Sequence, residues 1–238
     1  MATNSIKITG DWIWRMIRYN LKIIFANKFI WFLIAALAFF IVVTLITIFN
    51  GEMMTSGTVF SLLLFPGLLL IFYPTAFGIQ NDEDTRILEI LFGIPDYRYK
   101  VWLVRLVLIF LLVFTVLLLL SAFSSWALVK FSSFQMAYCL ILPVFFLGSL
   151  AFLLSTVIRN GIGTAVVMVI IGLIFSILSD ALENSKWNIF LNPFNMPSEI
   201  SEAAWMTVIH DNHVIMIVGI IVTLLAGLLS LQRREKFI

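Results

Sequence analysis

Six long stretches without a single Asp, Glu, Lys, Arg or His divide this chain, and they restrict its fold more than any motif does. They run over residues 29–49, 58–79, 106–129, 136–158, 162–179 and 214–231. Each has roughly the 17–25 residues that a helix needs to cross a ~30 Å hydrocarbon core. Lipid offers the backbone no water to bond, so a span must be a helix or a closed barrel. Continuous apolar runs, unlike the ten-residue alternating segments of a barrel, select helices. Composition agrees: the chain is 62% hydrophobic and 12% charged, where soluble proteins average about 25% charged. The expected fold is an all-α integral membrane protein of six transmembrane helices, one domain over residues 1–238, with little room for a separate soluble part. The first block lies too far from the N-terminus, and is too long, for a cleaved signal peptide. Cys139, the sole cysteine, falls inside a span, so no intrachain disulfide forms.

Basic residues set the orientation, because Lys and Arg collect on the cytoplasmic side. Lys7, Arg15, Arg18, Lys22 and Lys28 precede the first span. Arg86, Arg98, Lys100 and Arg105 lie between the second and third, Arg159 between the fourth and fifth, and Arg233, Arg234 and Lys236 after the sixth. With both termini cytoplasmic, only Lys130 and Lys186 of the 15 basic residues fall outside. The opposite face is then acidic, carrying Glu52, Asp180, Glu183, Glu199, Glu202 and Asp211. The expected location is the cell (inner) membrane, as a multi-pass protein.

Residues 11–27 predict an N-terminal interfacial helix. Arg15, Arg18 and Lys22 share one face, while Ile13, Ile17, Leu21 and Ile24 share another. That basic-and-apolar division suits a helix lying on the inner membrane surface. In the second span, Pro66-Gly67 and Pro74 predict a bent or locally opened helix, since proline removes a hydrogen bond and clashes with the preceding turn. Such breaks persist where protein or a water-filled cavity takes up the freed groups. Pro66, Gly67 and Pro74 are therefore candidates for lining a path, and Pro143 predicts a weaker kink in the fourth span. Gly161, Gly163, Gly172, Ser176 and Ser179 give the fifth span a small-residue surface open to close approach; Gly172 and Ser176 are the candidates for path lining there. Between the fifth and sixth spans, Ser198 predicts the N-cap of a short outer helix reaching Ile209.

The spans lack the ionisable groups that proton relays, voltage sensors and carboxylate ion sites use. Ser121, Ser155 and Ser176 have no histidine at membrane depth to activate them, which disfavours intramembrane hydrolysis by a serine mechanism. His210 and His213 are three apart with no third strong ligand nearby in sequence, so no metal site is assigned. No Gly-x-x-x-x-Gly-Lys-Ser/Thr loop occurs. The chain itself is expected to be no enzyme and to bind no cofactor and no nucleic acid.

The remaining feature is the charged segment from Asp82 to Arg98, lying between two apolar blocks. It carries Asp82, Glu83, Asp84, Arg86, Leu88, Glu89, Leu91, Pro95 and Arg98. Charges on one side, leucines on the other and a terminating proline predict a short amphipathic helix accessible to a soluble partner. The segment resembles the signature of ABC-type-two exporter permeases: a leading acid, a Leu-Glu pair, a second leucine, a proline, then spaced basic residues. Asp82, Leu88-Glu89, Leu91, Pro95, Arg98 and Arg105 match it, while Arg86 and Ile87 replace the usual Gly-Thr. The six spans and the basic tail extend the similarity over most of the chain.

The resemblance implies a transmembrane permease subunit that pairs with a second permease subunit, as a homodimer or heterodimer, and with two cytoplasmic ATPase subunits. ATP and Mg would sit on the ATPase. Asp82 to Arg98 would be the coupling element, with Lys100 and Arg105 anchoring its far end at the membrane edge and Arg15, Arg18 and Lys22 anchoring the interfacial helix. In relatives the path runs at the interface of the two permease subunits, lined chiefly by spans two and five, and an amphipathic or hydrophobic substrate would follow it outward. Two alternatives share the span count: a six-span sensor or scaffold without transport activity, and a haem-exporter-like permease.

Overall fold

The computed structural model describes residues 28–51, 53–84 and 98–234, with side chains through Leu231 except those of residues 98–100. The interfacial helix expected at 11–27 and most of the charged segment, including Arg86, Leu88, Glu89, Leu91 and Pro95, lie outside the described residues, as do Arg15, Arg18 and Lys22. Among the described residues the fold is helical throughout, with no strand. The helices are α1 (Phe29–Phe49), α2 (Ser56–Asp84), α3 (Val104–Ala127), α4 (Ser133–Ile158), α5 (Gly161–Ala181) and α6 (Glu202–Arg234); a π-helical turn over Arg98–Leu103 leads into α3. All six are long and apolar enough to cross a membrane, which suggests a multi-pass membrane protein.

Local chemistry sets several boundaries. The Asn160 side chain accepts from the Gly163 amide at 2.9 Å and opens α5. Directly before it, Arg159 closes α4 with φ at 62°, in the left-handed region. That tight reversal brings α5 back alongside α4. Ser132 caps α4 by accepting from the Gln135 amide at 3.4 Å.

Two expectations are corrected. Helix α2 is not opened at its prolines: it stays helical through Pro66 and Pro74 for 29 residues. Packed neighbours hold it, and Thr75 Oγ1 donates to the Ile71 carbonyl at 2.7 Å, one residue from the carbonyl that Pro74 leaves free. Nor is there a separate outer helix from Ser198. Helix α6 begins at Glu202, with Ser201 Oγ accepting from the Ala204 amide at 3.4 Å, and runs unbroken into the sixth apolar block. The polar run His210 to His213 does not stop it, because Asn212 turns inward and donates to the carbonyls of Lys186 and Asn188 at 2.9 and 2.8 Å.

Helices α2 and α4 form the centre: 61% of each apolar stretch is buried, against 22%, 39%, 17% and 22% for α1, α3, α5 and α6. Phe32 stacks on Tyr73 at 4.7 Å and Phe39 meets Phe65 at 4.3 Å, so α1 runs antiparallel to α2. Helices α2, α4 and α6 run parallel in a row, with Gly148 of α4 facing Ile71 of α2 and Gly219 of α4's other neighbour facing Phe146. Small residues let backbones approach closely where no hydrophobic drive exists between helices in lipid. The Ser149 and Thr223 hydroxyls bond across α4 and α6 at 2.6 Å. Large apolar side chains on the outer faces of α1, α5 and α6, among them Trp31, Ile41, Leu173, Ile177 and Val222, are exposed, as suits lipid-facing surface.

Candidate functional site

Two features of the bundle, at its opposite ends, have the chemistry of a site. The first lies where the charged segment leaves α2 and re-enters at the π-helical turn. Helix α2 continues five residues past its apolar block, which brings Asp82 within its last turn. Arg105, in the first turn of α3, donates through Nη1 to Asp82 Oδ2 at 2.6 Å. Both side chains are almost wholly buried, at 3% and 5% exposure. The Arg105 guanidinium also lies 4.7 Å from the centre of the Trp102 ring. Trp102 packs with Ile79, Leu106, Phe152, Leu228 and Leu231, and so joins α2, α3, α4 and α6. Two residues before Asp82, Gln80 Oε1 accepts from the Gly161 amide at 2.6 Å, tying α2 to the start of α5.

Asp82 and Arg105 thus occupy different places from those read in the sequence. Asp82, expected on the docking face, is inside the protein; Arg105, expected at the membrane edge, is its counter-ion. Glu83 and Asp84, the next two residues, are exposed. The ion pair closes the base of the segment over residues 85–97, so its two ends are held together across 23 positions of sequence. Arg98 and Lys100 fall on the π-helical turn.

The second feature is a groove between α2 and α5. At Gly161 the helices touch: a Cβ there would meet Phe77 Cδ1 at 2.5 Å and Gln80 Oε1 at 2.6 Å. At Gly172, three turns on, nothing lies within 4 Å of the same position. The helices therefore diverge away from the ion pair, and α4 supplies the floor. The resulting cavity, about 660 Å³, is lined by Leu64, Phe65, Leu68, Phe72, Leu147, Met168, Gly172 and Ser176, among others. Of the five residues named as path candidates, Gly172 and Ser176 line it. Pro66 and Gly67 are buried, and a Cβ on Gly67 would meet Val144 and Leu117 at 2.9 and 3.3 Å. Gly67 thus faces α3 and α4. Pro74 is half-buried and outside the lining.

The groove opens into a polar chamber of about 430 Å³, sharing Ser61, Ser179, Asp180 and Phe190 with it. Glu183, Asn184, Asn188, Asn192 and Asn195 complete most of the chamber wall. The 182–201 connection that forms this wall is ordered by its own amides. Asn188 Oδ1 accepts from Ser179 Oγ and the Phe190 amide at 2.8 and 2.9 Å. Asn192 Nδ2 donates to the Gly57 carbonyl at 2.9 Å, fastening the connection to the start of α2. Asparagines in a connecting loop read as turn formers, so sequence carried no signal that they build a wall.

His210 is exposed, 3.8 Å from Asp211, and no group of three metal-binding side chains occurs among the described residues. Asp211 is held instead by Lys186 Nζ at 3.1 Å.

The fold and these features define a class: a six-helix bundle of membrane-spanning length with an apolar groove entering from one end and a buried ion pair closing the other. No protein-family model, curated protein or solved structure matches the chain.

Proposed function

We propose that this chain is the permease subunit of an ATP-driven exporter of the ABC-type-two kind, carrying an amphipathic or hydrophobic substrate and driven by separate ATPase subunits. One observation carries the reading. The segment that resembles the exporter coupling element is joined to the bundle through Asp82–Arg105, Trp102 and Gln80–Gly161, which between them reach α2, α3, α4, α5 and α6. A push on that segment has a stiff route to the helices that border the groove. A motor can shift a conformational equilibrium only through a contact that is stronger in one state than in the other. Exposed Glu83 and Asp84, with Leu88 and Glu89, would supply that contact.

In this reading the segment and both termini face the cytoplasm, in accord with the basic residues flanking that end of the bundle. A second permease subunit covers part of the exposed apolar surface, and lipid covers the rest. The test is a Leu88→Ala/Glu89→Ala variant, co-purified with the Walker-type ATPase that this reading expects among its genomic neighbours. Loss of ATPase capture with an unchanged unfolding midpoint is the expected result. Undiminished capture and undiminished substrate-stimulated ATP hydrolysis would refute the coupling assignment.

A further inference from the structure

We infer that the α2–α5 groove and its chamber form a binding site for a single-chain amphiphile with a cationic head, such as an alkylammonium. The inference rests on the transporter reading and narrows its substrate class. The groove wall is apolar from Leu64 to Phe72 along α2, and from Met168 to Gly172 along α5. From Ser61 to Phe72 the helix rises roughly 16 Å at 1.5 Å per residue, room for a medium-length alkyl chain. The volume, about 660 Å³, lies in the ~300–1,000 Å³ range of small-molecule sites.

Apolar lining alone selects nothing within a bilayer, because lipid tails are as apolar as leucine. Discrimination has to come from the head, and the chamber specifies its sign. Asp180 and Glu183 both line it, three residues apart, and among the described residues no Lys, Arg or His lines either cavity. Among the described residues neither carboxylate has a basic partner within 4.0 Å, since the nearby Lys186 is engaged by Asp211. Like charges at this spacing repel. A cation between them relieves that repulsion and receives amide and hydroxyl oxygens from Asn184 and Ser61 as well. An anionic head is repelled by both carboxylates, and the amide and hydroxyl donors of the wall carry no charge to offset that.

The test uses the full chain purified in a maltoside detergent. The probes are dodecyltrimethylammonium and dodecyl sulfate, which share a tail and differ in the sign of the head. Binding is followed with radiolabelled probe, and the unfolding midpoint is recorded at low and high salt. Saturable binding of the ammonium that weakens with salt, with none for the sulfate, is expected. The Asp180→Asn/Glu183→Gln variant is expected to weaken it at least about threefold, the scale of two exposed ion pairs. Gly172→Phe, which fills the groove and leaves the charges in place, is expected to reduce binding as well.

Equal binding of the two probes would overturn the proposal, and so would an unchanged affinity in the charge-neutralised variant. A dimer in which Gly172→Cys is shielded from labelling would overturn it too, by assigning the groove to a second copy. ATPase capture by the same preparations separates the two readings. Capture without ammonium binding removes the substrate class alone, and failure of capture removes the exporter assignment while leaving the binding result to stand.

Discussion

Replacing Arg105 with Ala isolates the structural role of the buried ion pair. The Asp82 carboxylate, 3% exposed and 2.6 Å from the guanidinium, would stay buried and lose this counter-ion. Breaking a buried pair from one side costs about 3–5 kcal/mol. Proton uptake sets a ceiling, since neutralising an ordinary carboxylate at pH 7 costs about 4 kcal/mol. Arg105→Ala is therefore expected to lose about 3–4 kcal/mol. Asp82→Ala has no such escape, because a guanidinium does not deprotonate in proteins; the Trp102 face at 4.7 Å remains as compensation. Its loss is expected to be at least as large. The double variant Asp82→Ala/Arg105→Ala removes both charges, and should cost less than the sum of the singles by about 2 kcal/mol. Denaturant unfolding in mild detergent, run as a double-mutant cycle, measures all three. Single losses under about 1 kcal/mol that simply add would refute the reasoning, for they would mean that water or another group already satisfies both charges.

Two further outcomes follow from packing. Gly148→Val places methyl groups against Ile71 and is expected to destabilise by about 1–3 kcal/mol through overpacking; Gly172→Ala, with open space at its Cβ, is expected to leave the unfolding midpoint unchanged. Cys139 is 5% exposed inside α4, so a maleimide is expected to label it only after denaturation, and rapid labelling of the folded protein would contradict the α4 packing.

How far the fold was legible follows from the range over which each determinant acts. Spanning a membrane depends on length and apolarity within one segment, both of which are local. Accordingly α1 has the bounds of its apolar block, and the other five helices overlie theirs to within a few residues, apart from the extended ends of α2 and α6. Caps are local too, but they compete: Ser198 and Ser201 are both credible starts, and only the inward contacts of Asn212 show that the later one opens a single long helix. The prolines of α2 mark weak points in an isolated helix, yet in the folded bundle α2 continues through both.

The sites depended on distance in space. Asp82 and Arg105 stand 23 positions apart, and read singly, one as part of a docking face and the other as a membrane-edge anchor, they gave no sign of being a pair. Their opposite signs at facing ends of consecutive spans were the available signal. That they face each other inside the bundle was decided by the last turn of α2 and the π-helical turn, which bring Arg105 over the Trp102 ring and leave both charges almost wholly buried. The groove is a property of no residue: Gly161 and Gly172 are the same amino acid on the same helix, one in tight contact and one facing a void. Chain chemistry determines that six apolar helices form, because lipid leaves the backbone no other option. How those helices tilt against each other is set by side chains meeting from distant parts of the chain, and the tilt decides where a cavity opens and which charges lose their water.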